Sequence, residues 1–166
     1  MKNITSILLF AFVFIGFSVL AQTSACGDFH RSRCVIEGSK EDDKAFTYNA
    51  QSKSGLFSQG SLSRMRCVVY RGMEYRMTVC LETDVLGDNI QFKILDAATK
   101  NELFDSAKED NIKQFEFRCE QTKQLIIEVL VPSGEVKEEK GKPVGAACVG
   151  LLIEHKVSER TGFSQY

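Results

Sequence analysis

The chain has no tryptophan, only two prolines and only two histidines in 166 residues. Tyrosine is confined to Tyr48, Tyr70, Tyr75 and Tyr166, so the aromatic platforms on which sugar-cleaving enzymes commonly seat their substrates are scarce. Two histidines leave little for a hydrolytic triad, which needs an imidazole beside a nucleophile and a carboxylate. No two cysteines stand in a C-x-x-C spacing, which removes zinc knuckles and thioredoxin-like dithiols. Calcium loops of the D-x-[DN]-x-[DN]-G type are missing, and the adjacent carboxylates of Glu41-Asp42-Asp43 splay in different directions. No metal or cofactor is expected. An excess of positive charge is also lacking, with 21 Lys and Arg against 22 Asp and Glu. Phosphate binding needs concentrated positive charge, so nucleic acid is not expected as a partner.

What is present begins with Lys2 and an apolar run from Ile7 to Leu20, the pattern of a secretory signal peptide. Val19 and Ala21 supply the small residues for cleavage, giving a signal over 1–21 and a mature chain starting at Gln22. Export to the periplasm, the cell surface or the medium follows, with no membrane span in the mature chain. All six cysteines lie beyond the cleavage point, and an even count in an exported domain implies disulfides. The segment's proximity suggests a Cys26–Cys34 loop, contributing roughly 2.5 kcal/mol by chain entropy. Strand position suggests Cys80 with Cys148, and Cys67 with Cys119 across the core. A lipid-carrying Cys26 is the alternative, but Thr23 stands where lipoprotein processing wants a leucine-like residue.

Residues 22–55 are rich in glycine and charge and show no sustained periodicity, so they are expected to wrap a body formed by 56–155. There the pattern has period two. Met65, Cys67 and Val69 share one face, and Tyr75, Met77 and Val79 share another beyond Arg71-Gly72, which predicts a hairpin. Phe92 and Ile94, then Phe115 and Phe117, alternate in the same way. Lys100 to Asp105 offers too few apolar positions for a helix and is taken as a short strand. Leu125 to Val131 is nearly continuous and β-branched, which places it centrally, and Val149, Leu151 and Ile153 mark the last strand. Residues 156–166 form a polar tail. Seven or eight strands without a convincing helix predict an all-β, two-sheet antiparallel β-sandwich of jelly-roll-like form, with a disulfide-tethered, irregular N-terminal segment. The inward set is Tyr75, Met77, Val79, Phe92, Ile94, Phe115, Phe117, Ile127, Val129, Leu151 and Ile153.

The order of strands MRCVVY, YRMTVC, IQFKILD, FEFRC, LIIEV and CVGLLIEH, with Arg71-Gly72 after the first, resembles the β-sandwich domains of the bacterial pre-peptidase C-terminal type. The likeness runs from Ser63 to His155 and is one of pattern and spacing. It implies a small jelly-roll-like module that aids secretion, solubility or substrate contact. The cysteines in this span and the charged loop depart from that pattern.

Candidate contacts are few. Asp28 and His30 sit in the first cysteine loop, where the plain alternative is a solvent-facing histidine; His155 closes the last strand. Arg64, Arg66 and Arg76 would face outward together on the expected hairpin and meet an acidic partner. Lys137 and Lys140 lie in the charged loop from Pro132 to Pro143, a natural place for a partner to touch. These features predict a non-catalytic exported module binding a protein, glycan or other component of the envelope or medium. The alternatives are a secreted hydrolase assembled from dispersed carboxylates and His30, or an inhibitor of a secreted enzyme.

Overall fold

The computed structural model describes residues 26–35, 46–134, 138–139, 142–143 and 145–158. The signal run and residues 159–166 lie outside them. Among the described residues the elements run α1 (Phe29–Arg33), β1 (Thr47–Tyr48), β2 (Lys53–Phe57), β3 (Leu62–Val69) and β4 (Met73–Leu81). They continue with α2 (Thr83–Leu86), β5 (Gln91–Asp96), β6 (Glu102–Asp105), a 3-10 turn (Ser106–Lys108), β7 (Gln114–Arg118) and β8 (Lys123–Leu130). The two-residue strands β9 (Glu138–Glu139) and β10 (Lys142–Pro143) precede β11 (Ala147–Val157).

Two antiparallel sheets result. The first runs β1-β11-β4-β7, with β2 pairing the other half of the same β11 edge. The second runs β3-β8-β5-β6. Alternation explains the core, since residues two apart share a face. Tyr75, Met77 and Val79 from β4 meet Phe92 and Ile94 from β5, Ile127 and Val129 from β8, and Leu151 and Ile153 from β11. Each fully buried side chain of this kind is worth roughly 1.5–3 kcal/mol. The Tyr75 hydroxyl is satisfied inside, accepting from the Tyr70 N–H at 2.9 Å. Phe115 and Phe117 are half-buried instead of fully buried, because β7 is an edge strand. Truncating Phe117 therefore removes less burial than a fully enclosed phenylalanine would.

Three expectations are corrected. The tight turn with Gly72 at φ +80° is present, but β3 and β4 do not form a hairpin. They lie in opposite sheets, so Met65, Cys67 and Val69 face Tyr75, Met77 and Val79 across the core instead of beside them. Apolar alternation in two successive strands is the same for a hairpin and for such an arch, and only the pairing partners distinguish them. Within the segment expected to be irregular, residues 26–35 and 46–57 supply α1, β1 and β2.

The third correction concerns the bridges. Cys26 joins Cys148 and Cys34 joins Cys80, with Cα separations of 5.4 and 5.1 Å, so neither Cys26–Cys34 nor Cys80–Cys148 forms. Cys80 stands opposite Gly150 in the β4–β11 register, so Cys148 is displaced along the strand from it. Both point outward from the first sheet, and α1 lies across them with one cysteine near each of its ends. Cys67 and Cys119 are buried free thiols, not a bridge. The Cys119 thiol donates to the Gln121 carbonyl at 3.0 Å.

The seating of α1 explains a residue that alternation does not. A Cβ on Gly150 would come within 2.8 Å of the His30 Cα, 2.9 Å of the Cys34 sulfur and 3.0 Å of the Cys80 sulfur. Gly150 is the space that lets helix and bridge lie flat on the strand. Because its backbone neighbour cannot withdraw without moving a cross-linked helix, Gly150→Ala should destabilise the fold by about 1–3 kcal/mol, read as a lowered midpoint in urea denaturation. The same substitution at Gly145, where nothing lies within 4 Å, should be tolerated.

Candidate binding surface

The two outer faces of the sandwich are unlike. On the first sheet, α1 and Phe46 cover the strands, so Cys148, Leu152 and Thr78 are buried although they point away from the core. Strand β11 is thus apolar on both faces. His30 belongs to this cover and is only 4% exposed, which corrects the solvent-facing expectation. Its backbone N–H donates to Ser54 Oγ at 2.8 Å; its Nδ1 lies 2.7 Å from the same oxygen, and its Nε2 lies 3.2 Å from the Tyr48 hydroxyl. The imidazole stacks on Tyr48, whose other neighbour is the Arg31 guanidinium 4.1 Å from the ring centroid. Burial first, and then the charge of Arg31, lower the His30 pKa, while Asp28 pulls weakly the other way. Both ring nitrogens face hydroxyl groups, and a catalytic pairing with a carboxylate is not formed here. Asp28 itself remains exposed.

The arginines separate with their strands. Arg76 lies on the covered face, only 12% exposed, with Glu116 at 2.7 Å and the Phe46 ring 4.1 Å beneath its guanidinium. Arg64 and Arg66 lie on the opposite, uncovered face. The expected common patch is therefore not formed, because the arch places the two strands in different sheets. Arg64 instead starts a row that crosses the second sheet, where the register sets Arg64 opposite Glu128, Glu128 opposite Lys93 and Lys93 opposite Asp105. Signs alternate along this row. Arg64 is bonded to Glu128 at 2.5 Å and Lys93 to Asp105 at 2.7 Å. Burial alone would raise the Asp105 pKa, but Lys93 and the Ala107 N–H outweigh it and hold the carboxyl below its usual range.

The uncovered side also holds an opening between the sheets. Strands β2 and β3 are both edges, and a cleft of about 190 Å³ lies between them. Its floor is Phe57, Met65, Ile127, Val129, Val149 and Leu151, and its rim carries Lys53, Ser63 and Arg64. At one end the free edge of β3 is closed by a side chain: Val68 N–H donates to Gln51 Oε1 at 2.7 Å, and Gln51 Nε2 donates to the Val68 carbonyl at 2.9 Å. Gln51 imitates a neighbouring strand for one residue. A second recess, of about 220 Å³, lies near that same end, with Val69, Leu103, Phe117, Cys119 and Leu125 in its lining.

Lys137 and Lys140 lie outside the described residues, although their loop contains the β9–β10 hairpin, which pairs with neither sheet. Gln51, Ser54 and Gly150 were not singled out in the sequence, whereas Tyr48 was expected as an anchor of the N-terminal segment. Only Gly150 carried a signal, as a glycine inside an otherwise apolar strand. Among the described residues, no group of three or more His, Cys, Asp or Glu is placed to hold a metal, and no helix is long and apolar enough to cross a membrane.

No protein-family model and no curated protein matches the chain. Among solved structures it is similar to Aeromonas hydrophila PliG, a periplasmic lysozyme inhibitor of g-type lysozyme, with a TM-score of 0.44 and 10% identity. That match covers 73% of this chain and 93% of the other. It assigns no residue and no partner. The resemblance to pre-peptidase C-terminal domains reduces to a shared two-sheet architecture.

Two outcomes follow. A histidine whose folded pKa lies below its unfolded value binds protons more readily when unfolded, so its contribution is complete above about pH 6.5 and shrinks as pH falls below it. Stability should therefore fall from pH 7.5 to pH 5, and His30→Gln should flatten that slope in denaturant titrations at the two pH values. Burial pushes the Cys67 thiol up to about 12 and raises that of Cys119 as well. Under native, non-reducing conditions iodoacetamide should leave both unlabelled, and denaturation without reductant should expose two reactive thiols; recovery of none would mean a third bridge.

Proposed function

We propose that the protein is an exported, non-catalytic module that binds another protein of the envelope or medium, in the manner of an inhibitor of a secreted enzyme. The observation that carries this reading is the asymmetry of the sandwich. One sheet is sealed by a segment bridged to its two central strands, whereas the other keeps a bare face, a free edge and an apolar cleft. Exposed Leu62, on the bare face of β3, adds to that surface. Bridges of long sequence separation, 122 and 46 residues, suit an oxidising compartment and a fold that must keep its shape outside the cell. The groups on which a hydrolase would draw are engaged elsewhere: the His30 imidazole by two hydroxyls, Glu128 and Asp105 by cations. Inhibition is favoured over passive attachment by the free edge and apolar cleft lying together, which suit contact with a folded partner.

The test is affinity capture with the mature chain from its own envelope and culture medium, followed by titration of any captured enzyme. Saturable loss of that enzyme's activity at one-to-one stoichiometry is the expected result. Turnover of the captured protein or of a glycan by this chain would replace the reading with an enzymatic one.

A further inference from the structure

We infer that the free edge of β3 is a docking strand for an extended segment of a partner protein in which acidic and apolar side chains alternate. This deepens the binding reading above and rests on it. The backbone argument starts at Gln51. Both polar backbone groups of Val68 are taken by that side chain, so both point away from β8. In an antiparallel ladder the outward-pointing groups recur at every second residue. The N–H and C=O groups of Arg66, Arg64 and Leu62 therefore point the same way, and no strand pairs with them among the described residues. Three residues of unused ladder remain, with Gln51 marking where an added strand must stop.

The side chains select what joins it. Residues directly opposite on an added strand share a face with their partners, and pairs of opposite charge are favourable there while like charges are not. Arg64 and Arg66 stand two apart on the outer face; the Arg64 side chain is 63% exposed, and Arg66 is exposed. An incoming strand needs acidic residues at the two positions facing them. Its intervening side chains turn inward, toward the mouth of the cleft between β2 and β3, whose Phe57 and Met65 are only partly buried. Apolar residues fit there. Main-chain bonds then supply affinity, and the alternating pockets and charges supply specificity.

The same charges reject the commonest competitor, a second copy. Two β3 edges pairing antiparallel about a twofold axis, with all three free residues of each used, set Arg64 directly against Arg64 and Leu62 against Arg66. Charged residues on an edge serve that end in many sheets. Here they refuse self-association while attracting an acidic strand.

The test uses two synthetic nonapeptides, one alternating valine with glutamate and one alternating valine with lysine, titrated onto the mature, disulfide-bonded protein. The glutamate peptide should bind at least ten-fold more tightly, weaken with added salt, and slow amide exchange at Arg64 and Arg66 as read by NMR. Arg64→Pro removes one outward N–H and should abolish binding; Arg66→Glu, a milder exposed change, should weaken the glutamate peptide ten-fold or more and favour the lysine peptide. Retained circular dichroism and an unchanged unfolding midpoint establish that either variant is folded. Equal binding of both peptides, protection on another edge, or a concentration-dependent doubling of mass through β3 overturns the inference. Should Arg66→Glu hold a captured partner as tightly as before, this inference fails while the module reading stands. Edge protection by the peptide without any captured partner supports it independently of that reading.

Discussion

The structure depends on one short helix being cross-linked to two neighbouring strands. Cys26 and Cys34 bracket α1, and their partners lie on β11 and β4, which pair with each other. Each bridge alone would remove roughly 4–5 kcal/mol of chain entropy from the unfolded ensemble, since both close long loops. The five-residue helix could not hold its conformation in isolation, and its sequence supplies little apolar surface to anchor it. Covalent attachment does so. Once it is fixed, His30 is carried onto Ser54, and the face beneath becomes a second, smaller interior.

That second interior decides the chemistry of several residues at once. Leu152 and Thr78 are buried on what would otherwise be a solvent face. Arg76, which in open solvent would be an ordinary surface cation, is held between carboxylates and the Phe46 ring. Desolvation keeps the imidazole of His30 biased toward its neutral form. Gly150 is the geometric condition for all of this, because any side chain there would meet helix backbone and sulfur together.

The uncovered sheet follows a different logic. Its outer face is organised by an alternating row of charges from Arg64 to Asp105. Exposed pairs such as Arg64–Glu128 add little stability individually. Their value lies in setting which neighbour the sheet accepts. Gln51 closes one end of the β3 edge with a pair of hydrogen bonds, and the arginines govern the remainder.

The amino-acid sequence by itself determined the fold class and most of the inward side chains, because period-two alternation depends only on neighbours two residues apart. Tyr75, Met77, Val79, Phe92, Ile94, Ile127, Val129, Leu151 and Ile153 are all buried as that pattern requires. The even count of cysteines also announced bridging, though not which four would bridge. Tertiary structure alone decided that β3 and β4 part into opposite sheets, that Cys34 reaches Cys80 and not Cys26, and that His30 is enclosed. Each of these is a choice of partner from a distant part of the chain. Local alternation is satisfied equally by the rejected choices, so only the simultaneous packing of both sheets and the helix across them selects one.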